Sequence, residues 1–125
     1  MLNKIFIMGR LTKDVELRST ANGISVATFT LAVDRDYQNG SEKRTDFINC
    51  VAWRNSADFV NKYFHKGSMA IVEGSLQSRQ YENKEGNKVT VWEVVADAIR
   101  FGESKRETSA PAHLEELDDE GDIPF

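Results

Sequence analysis

Residues 45–81, TDFINCVAWRNSADFVNKYFHKGSMAIVEGSLQSRQY, change hydrophobic period twice. In 45–53 (TDFINCVAW), Ile48, Cys50 and Ala52 share one parity, and Phe47, Asn49, Val51 and Trp53 share the other. Alternation of this kind is the mark of a strand with two unlike faces. In 56–66 (SADFVNKYFHK), Ala57, Val60 and Phe64 recur at helical spacing, with Asn55 or Ser56 to cap the start and Gly67 to end it. From 69 to 81 the period of two returns, with Ala70, Val72, Gly74 and Leu76 as the apolar set. The stretch predicts strand, helix, strand.

Working outward, 3–11 (NKIFIMGRL), 24–35 (ISVATFTLAVDR) and 89–101 (VTVWEVVADAIRF) also read as strands. Asn22-Gly23, Asn39-Gly40 and Gly86 supply the turns. In the second strand Ala27, Phe29, Leu31 and Val33 share the core parity. The order is then β-β-β-α-β-β. Five strands with one helix between the third and fourth predict an all-β OB-fold, a partly open Greek-key barrel. Another small α+β arrangement is the alternative.

The chain has 125 residues, enough for one small domain with a tail. Both prolines, Pro111 and Pro124, lie after residue 110, and a body without proline suits sheet. The boundary falls at about 102, giving a domain over 1–102 and a flexible acidic tail over 103–125. Residues 1–106 carry 16 Lys and Arg against 13 acids, net +3, and 107–125 carry 7 acids and no Lys or Arg, net −7. The overall charge of −4 therefore hides a mildly basic body, which admits a polyanionic partner.

Other classes lose support. Cys50 is the single cysteine, so no internal disulfide and no cysteine zinc cluster is expected. The two histidines, His65 and His113, fall in the helix and the tail, and no phosphate loop or metal-ligand spacing occurs. No enzyme, cofactor or metal is expected. No run of about 18 apolar residues and no signal-like N-terminus is present, so the expectation is a cytoplasmic protein without membrane partners.

The outer faces carry the functional signal. With Ile48, Cys50 and Ala52 inward, Phe47 and Trp53 face outward beside Asn49. Strand four ends with Arg79 beside Tyr81, and Tyr37 sits at a polar loop near Arg35, Lys43 and Arg44. Every nucleobase has a π-face that stacks on an aromatic, while Lys and Arg follow phosphates. Duplexes hide those faces, so the pattern points to single strands. Trp92 reads as structural or interfacial, and Phe59, Tyr63 and Phe64 as packing residues. A protein-binding OB-fold adaptor and an RNA or oligosaccharide binder are the other candidates.

At 3–18, 22–37, 45–86 and 92–103, and again in DDEGDIPF at 118–125, the chain resembles the bacterial single-stranded DNA-binding protein family, including phage and plasmid members. The resemblance implies homotetramers that wrap single-stranded DNA. Carried over by position, its base-stacking residues are Tyr37, Phe47, Trp53 and Tyr81. Arg10, Arg35, Arg54, Lys62 and Arg79 are the candidate phosphate contacts. The tip, Asp118, Asp119, Glu120, Asp122, Ile123, Pro124 and Phe125, joins an acidic run to apolar residues at a carboxylate. Such a peptide can seat Phe125 in a pocket with a basic rim. The resemblance implies replication, recombination and repair proteins as its partners, and a nucleoid-associated location.

Overall fold

The structure is a computed structural model and describes residues 1–36 and 43–103. It contains β1 (Ile5–Leu11), β2 (Glu16–Ser19), β3 (Ser25–Asp34), β4 (Thr45–Trp53), α1 (Asn55–Tyr63), β5 (Met69–Glu82) and β6 (Lys88–Phe101). The pairings run round a ring. β1 pairs with β5, β5 with β6, β6 with β4, β4 with β3, and β3 returns to β1 through Arg10↔Ala32 and Leu11↔Leu31. Only β4 and β6 are parallel, joined at Cys50↔Val94 and Val51↔Val95. This is the all-β OB-fold expected from the strand count and the position of the helix.

The strand β2 had no counterpart in the sequence reading. All four of its residues are exposed, so it carries no burial pattern. It pairs with β3 from Glu16↔Thr28 to Ser19↔Ser25, along the edge that also receives Arg10 and Leu11. β2 therefore continues β1 after a break at 12–15, and the barrel wall still has five strands.

The core follows the parities. Ala27, Phe29 and Leu31 of β3 meet Cys50 and Ala52 of β4, with Val72 and Val94 closing the far side. Leu31, Val60, Val72 and Val94 are fully buried. The helix closes one end of the barrel with Ala57 and Val60, followed by Phe64. Phe64 stacks on Phe101 at 4.8 Å, and Phe59 meets Tyr63, Phe64 and Phe101, so these rings pack as expected.

Three local expectations are corrected. First, no side chain caps α1: Arg54, not Asn55 or Ser56, holds the N-cap position. Second, Gly67 does not end the helix. The chain leaves it at Phe64 in extended conformation, and Gly67 (φ +91°) sits in the following turn, donating its N–H to the Leu11 carbonyl at 2.9 Å. Third, Leu76 is not core but 41% exposed. The pairing of β1 with β5 ends at Ile5↔Gly74, so β5 has run past its cover. A bulge lies between Glu73 and Gly74, where a Cβ would collide with the Val95 carbonyl oxygen. Beyond it β5 and β6 continue as a two-stranded arm.

Candidate nucleic-acid interface

β3 and β4 run antiparallel with Ala32↔Phe47, Thr30↔Asn49, Thr28↔Val51 and Val26↔Trp53 in register. The alternate residues Leu31, Cys50 and Ala52 point into the barrel. These pairs must therefore point out, since neighbours across a ladder share a face. Phe47 is 66% exposed and Trp53 44%. At about 3.3 Å per residue they stand roughly 20 Å apart along β4. They are two separate aromatic platforms, and the floor between them carries Thr28, Thr30 and Asn49 together with Val51, which is buried beside Val95. Thr30 Oγ1 donates to Asn49 Oδ1 at 3.1 Å on that floor.

A cleft of about 240 Å³ opens on the same surface. Thr28, Thr30 and Asn49 form its floor, Lys13 and Arg18 stand on one side, and Arg79 with Glu93 stands on the other. Tyr81, exposed, lies two residues beyond Arg79 on that side of the arm and pairs with Val89. Trp92 is also exposed but pairs with Ser78, on the opposite parity to Arg79. The two tryptophans therefore belong to different surfaces.

The cationic candidates divide into two groups. Arg35 makes a bidentate pair with Asp46, 3.0 Å on each arm, and this guanidinium holds the Asp46 carboxyl below its ordinary range. Arg10 meets Glu103 at 3.1 Å and donates to the Gly67 carbonyl at 2.9 Å. Arg79 meets Glu93 at 3.2 Å, and the Glu93 side chain is only 13% exposed. By contrast, Arg54 and Lys62 form no ion pair among the described residues, although Lys62 Nζ lies 5.2 Å from the Tyr63 ring centre. Three of the five cations are thus partly neutralised in the free protein. The Arg10–Glu103 and Arg35–Asp46 pairs are exposed enough to rearrange at small cost, whereas releasing Arg79 leaves a mostly covered Glu93 carboxylate without its partner and costs more.

Lys13 and Arg18 escaped the sequence reading, as did Glu93. Lys13 precedes, and Arg18 lies within, the short strand that carries no burial signal, and their place beside β3 depends on its register. Cys50 is buried beneath this surface, and burial, aided by the charge of Glu93, pushes its thiol up to about 12. It stays a neutral packing group at ordinary pH. Tyr37, and the tip residues Asp118, Asp119, Glu120, Asp122, Ile123, Pro124 and Phe125, lie outside the described residues. Among the described residues no group of His, Cys, Asp and Glu could hold a metal ion. No helix among them is long and apolar enough to cross a membrane.

A sequence profile described as the single-strand binding protein family matches residues 2–102, which is the barrel with its arm. The chain belongs to that family. Single-stranded DNA-binding protein 1 of Staphylococcus aureus (strain COL) is 58% identical over 106 residues, covering 84% of this chain and 64% of the relative. Single-stranded DNA-binding protein A of Bacillus subtilis (strain 168) is 55% identical over 106 residues, covering 84% of this chain and 62% of the relative. The single-stranded DNA-binding protein of Staphylococcus aureus (strain MRSA252) is 51% identical over 115 residues, covering 91% of this chain and 74% of the relative. The chain thus spans less than two thirds of the length of the first two, and family membership attaches most securely to the barrel.

Proposed function

We propose that this protein binds single-stranded DNA with little sequence preference and recruits other proteins to it. The observation that carries the reading is the pair of exposed rings, Phe47 and Trp53, on one barrel face beside a cleft edged by Lys13, Arg18 and Arg79. Bases unstacked from a duplex can lie on the rings while phosphates follow the cations. Tyr81 extends this surface along the arm, and Tyr37, assigned by its sequence position alone, is a further stacking residue. Arg10, Arg35 and Arg79 engage phosphates by exchanging their carboxylate partners for the DNA. Arg54 and Lys62 engage them without that exchange. The names of the Staphylococcus and Bacillus relatives support the same ligand.

The domain of 1–102 carries the DNA site, and the tail of 103–125 carries a second site at its tip. The assembly is a homotetramer, working in the cytoplasm in replication, recombination and repair. Support for self-association comes from β1, where Phe6 and Met8 are exposed. Among the described pairings, β1 meets β3 only at Arg10 and Leu11, so Ile5 to Met8 have one ladder partner.

Fluorescence anisotropy of a labelled oligo-dT of about 35 nucleotides, against a matched duplex, tests the DNA reading. The single strand is expected to bind saturably, with log K falling linearly as log salt rises, and the duplex to bind far more weakly. Equal binding to both would overturn it. Removal of 118–125 tests the division of labour. Affinity for oligo-dT is expected to stay equal or rise, because the acidic segment no longer competes for the cations, while binding to partner proteins is lost. A fall in DNA affinity on truncation would contradict that division.

A further inference from the structure

Arg54 has φ +58° and ψ −124°, and among the described residues it is the only non-glycine with positive φ. This backbone conformation is comfortable for glycine and strained for any residue with a Cβ. Its neighbours hold it there. The Arg54 N–H donates to the Ser25 carbonyl at 2.8 Å, which extends the β3–β4 ladder by one bond. Its carbonyl accepts the Asp58 N–H at 3.1 Å, the first bond of α1. One residue thus ends a strand and starts a helix whose Ala57 and Val60 must reach the core. Glycine would meet every one of these demands, since both bonds are made by backbone atoms.

The side chain is therefore not required by the turn. It is exposed, forms no ion pair among the described residues, and directly follows Trp53. We infer that Arg54 is a DNA-contacting residue for which the fold gives up stability: its backbone strain is retained so that an uncompensated guanidinium stands beside the Trp53 platform. An arginine here meets a phosphate flanking a base on Trp53 without first surrendering a carboxylate, unlike Arg79 or Arg35. The inference rests on the single-stranded DNA reading and adds to it a trade between stability and affinity at one position.

Three variants separate the parts. Arg54→Gly removes both charge and strain, Arg54→Ala removes charge but keeps the Cβ, and Arg54→Lys keeps charge and Cβ. In thermal unfolding without DNA, Arg54→Gly is expected to melt about 4 °C or more above the wild type, and Arg54→Ala close to it. With oligo-dT, Arg54→Gly and Arg54→Ala are both expected to bind about threefold more weakly, with the slope of log K against log salt shallower by about 0.7. Arg54→Lys is expected to keep the wild-type slope. The inference is overturned if Arg54→Gly melts no higher than Arg54→Ala. It is equally overturned if the wild type binds oligo-dT and both neutral variants bind it with unchanged affinity and slope. A wild type that fails to bind oligo-dT defeats the DNA reading itself, while the melting comparison still reports on the strain.

Discussion

Trp53→Ala is expected to weaken binding to oligo-dT by about 1–3 kcal/mol, roughly 5- to 150-fold. The size follows from what the ring does in each state. In the free protein Trp53 is 44% exposed at the last position of β4 and is not a member of the buried core cluster. In the complex it offers a whole π-face to a base. Unfolding of the variant should therefore shift little while the isotherm shifts strongly. Phe47→Ala is expected to act in the same direction by a smaller amount, because its single ring offers less stacking area. Trp92→Ala supplies the control, since Trp92 projects from the other side of the β5–β6 arm. Binding isotherms and melts on the three variants decide the matter. Full affinity in Trp53→Ala with weakened binding in Trp92→Ala would move the platform to the wrong face for this account.

The second large effect concerns the barrel. Leu31→Ala is expected to lower the free energy of unfolding by about 2–5 kcal/mol. Leu31 is fully buried, stands opposite both Leu11 and Ile48, and so sits where β3 holds the ring closed. Domains of this kind have only about 5–15 kcal/mol in total, so the loss is a large fraction. Its neighbour Thr30 points outward to Asn49, and Thr30→Ala is expected to cost about 1 kcal/mol or less. Urea unfolding at matched protein concentration measures both, with the slope unchanged if the variants stay cooperative. Equal losses at the two positions would mean that inward and outward parities in β3 are misassigned.

The contrast between Leu31 and Thr30 shows what was legible in the sequence. β3, β4 and the start of β5 are half-buried strands, so alternation reports their faces directly, and Phe47 and Trp53 came out correctly as exposed. β2 is exposed on both faces, and no pattern marks it. Leu76 was misread because parity shows which side a residue faces but not where the covering strand stops. The helix start was misread because capping propensities assume an ordinary backbone, whereas the strand-to-helix turn is made at Arg54 in a glycine-like conformation.

The charge pairing was hidden for another reason. Arg79 and Glu93 are neighbours only because β5 and β6 pair in register, and Arg35 reaches Asp46 only across the β3–β4 ladder. A count of Lys and Arg treats all cations alike. The fold makes some of them available at once and others only after an exchange. For a ligand held partly by phosphate contacts, that distinction shapes the salt response as well as the affinity.

The chain has two tryptophans, on different surfaces, so base stacking on β4 can be read from one of them alone. Trp92→Phe leaves Trp53 as the single indole. Its fluorescence is followed as oligo-dT of about 35 nucleotides is added, with anisotropy of a labelled copy reporting binding in parallel. Saturable quenching of Trp53 that tracks binding point for point is expected, and none on addition of duplex at the same concentration. Binding without quenching of Trp53 would contradict a base-stacking surface on β4, and the absence of binding at low salt would contradict the single-strand reading altogether.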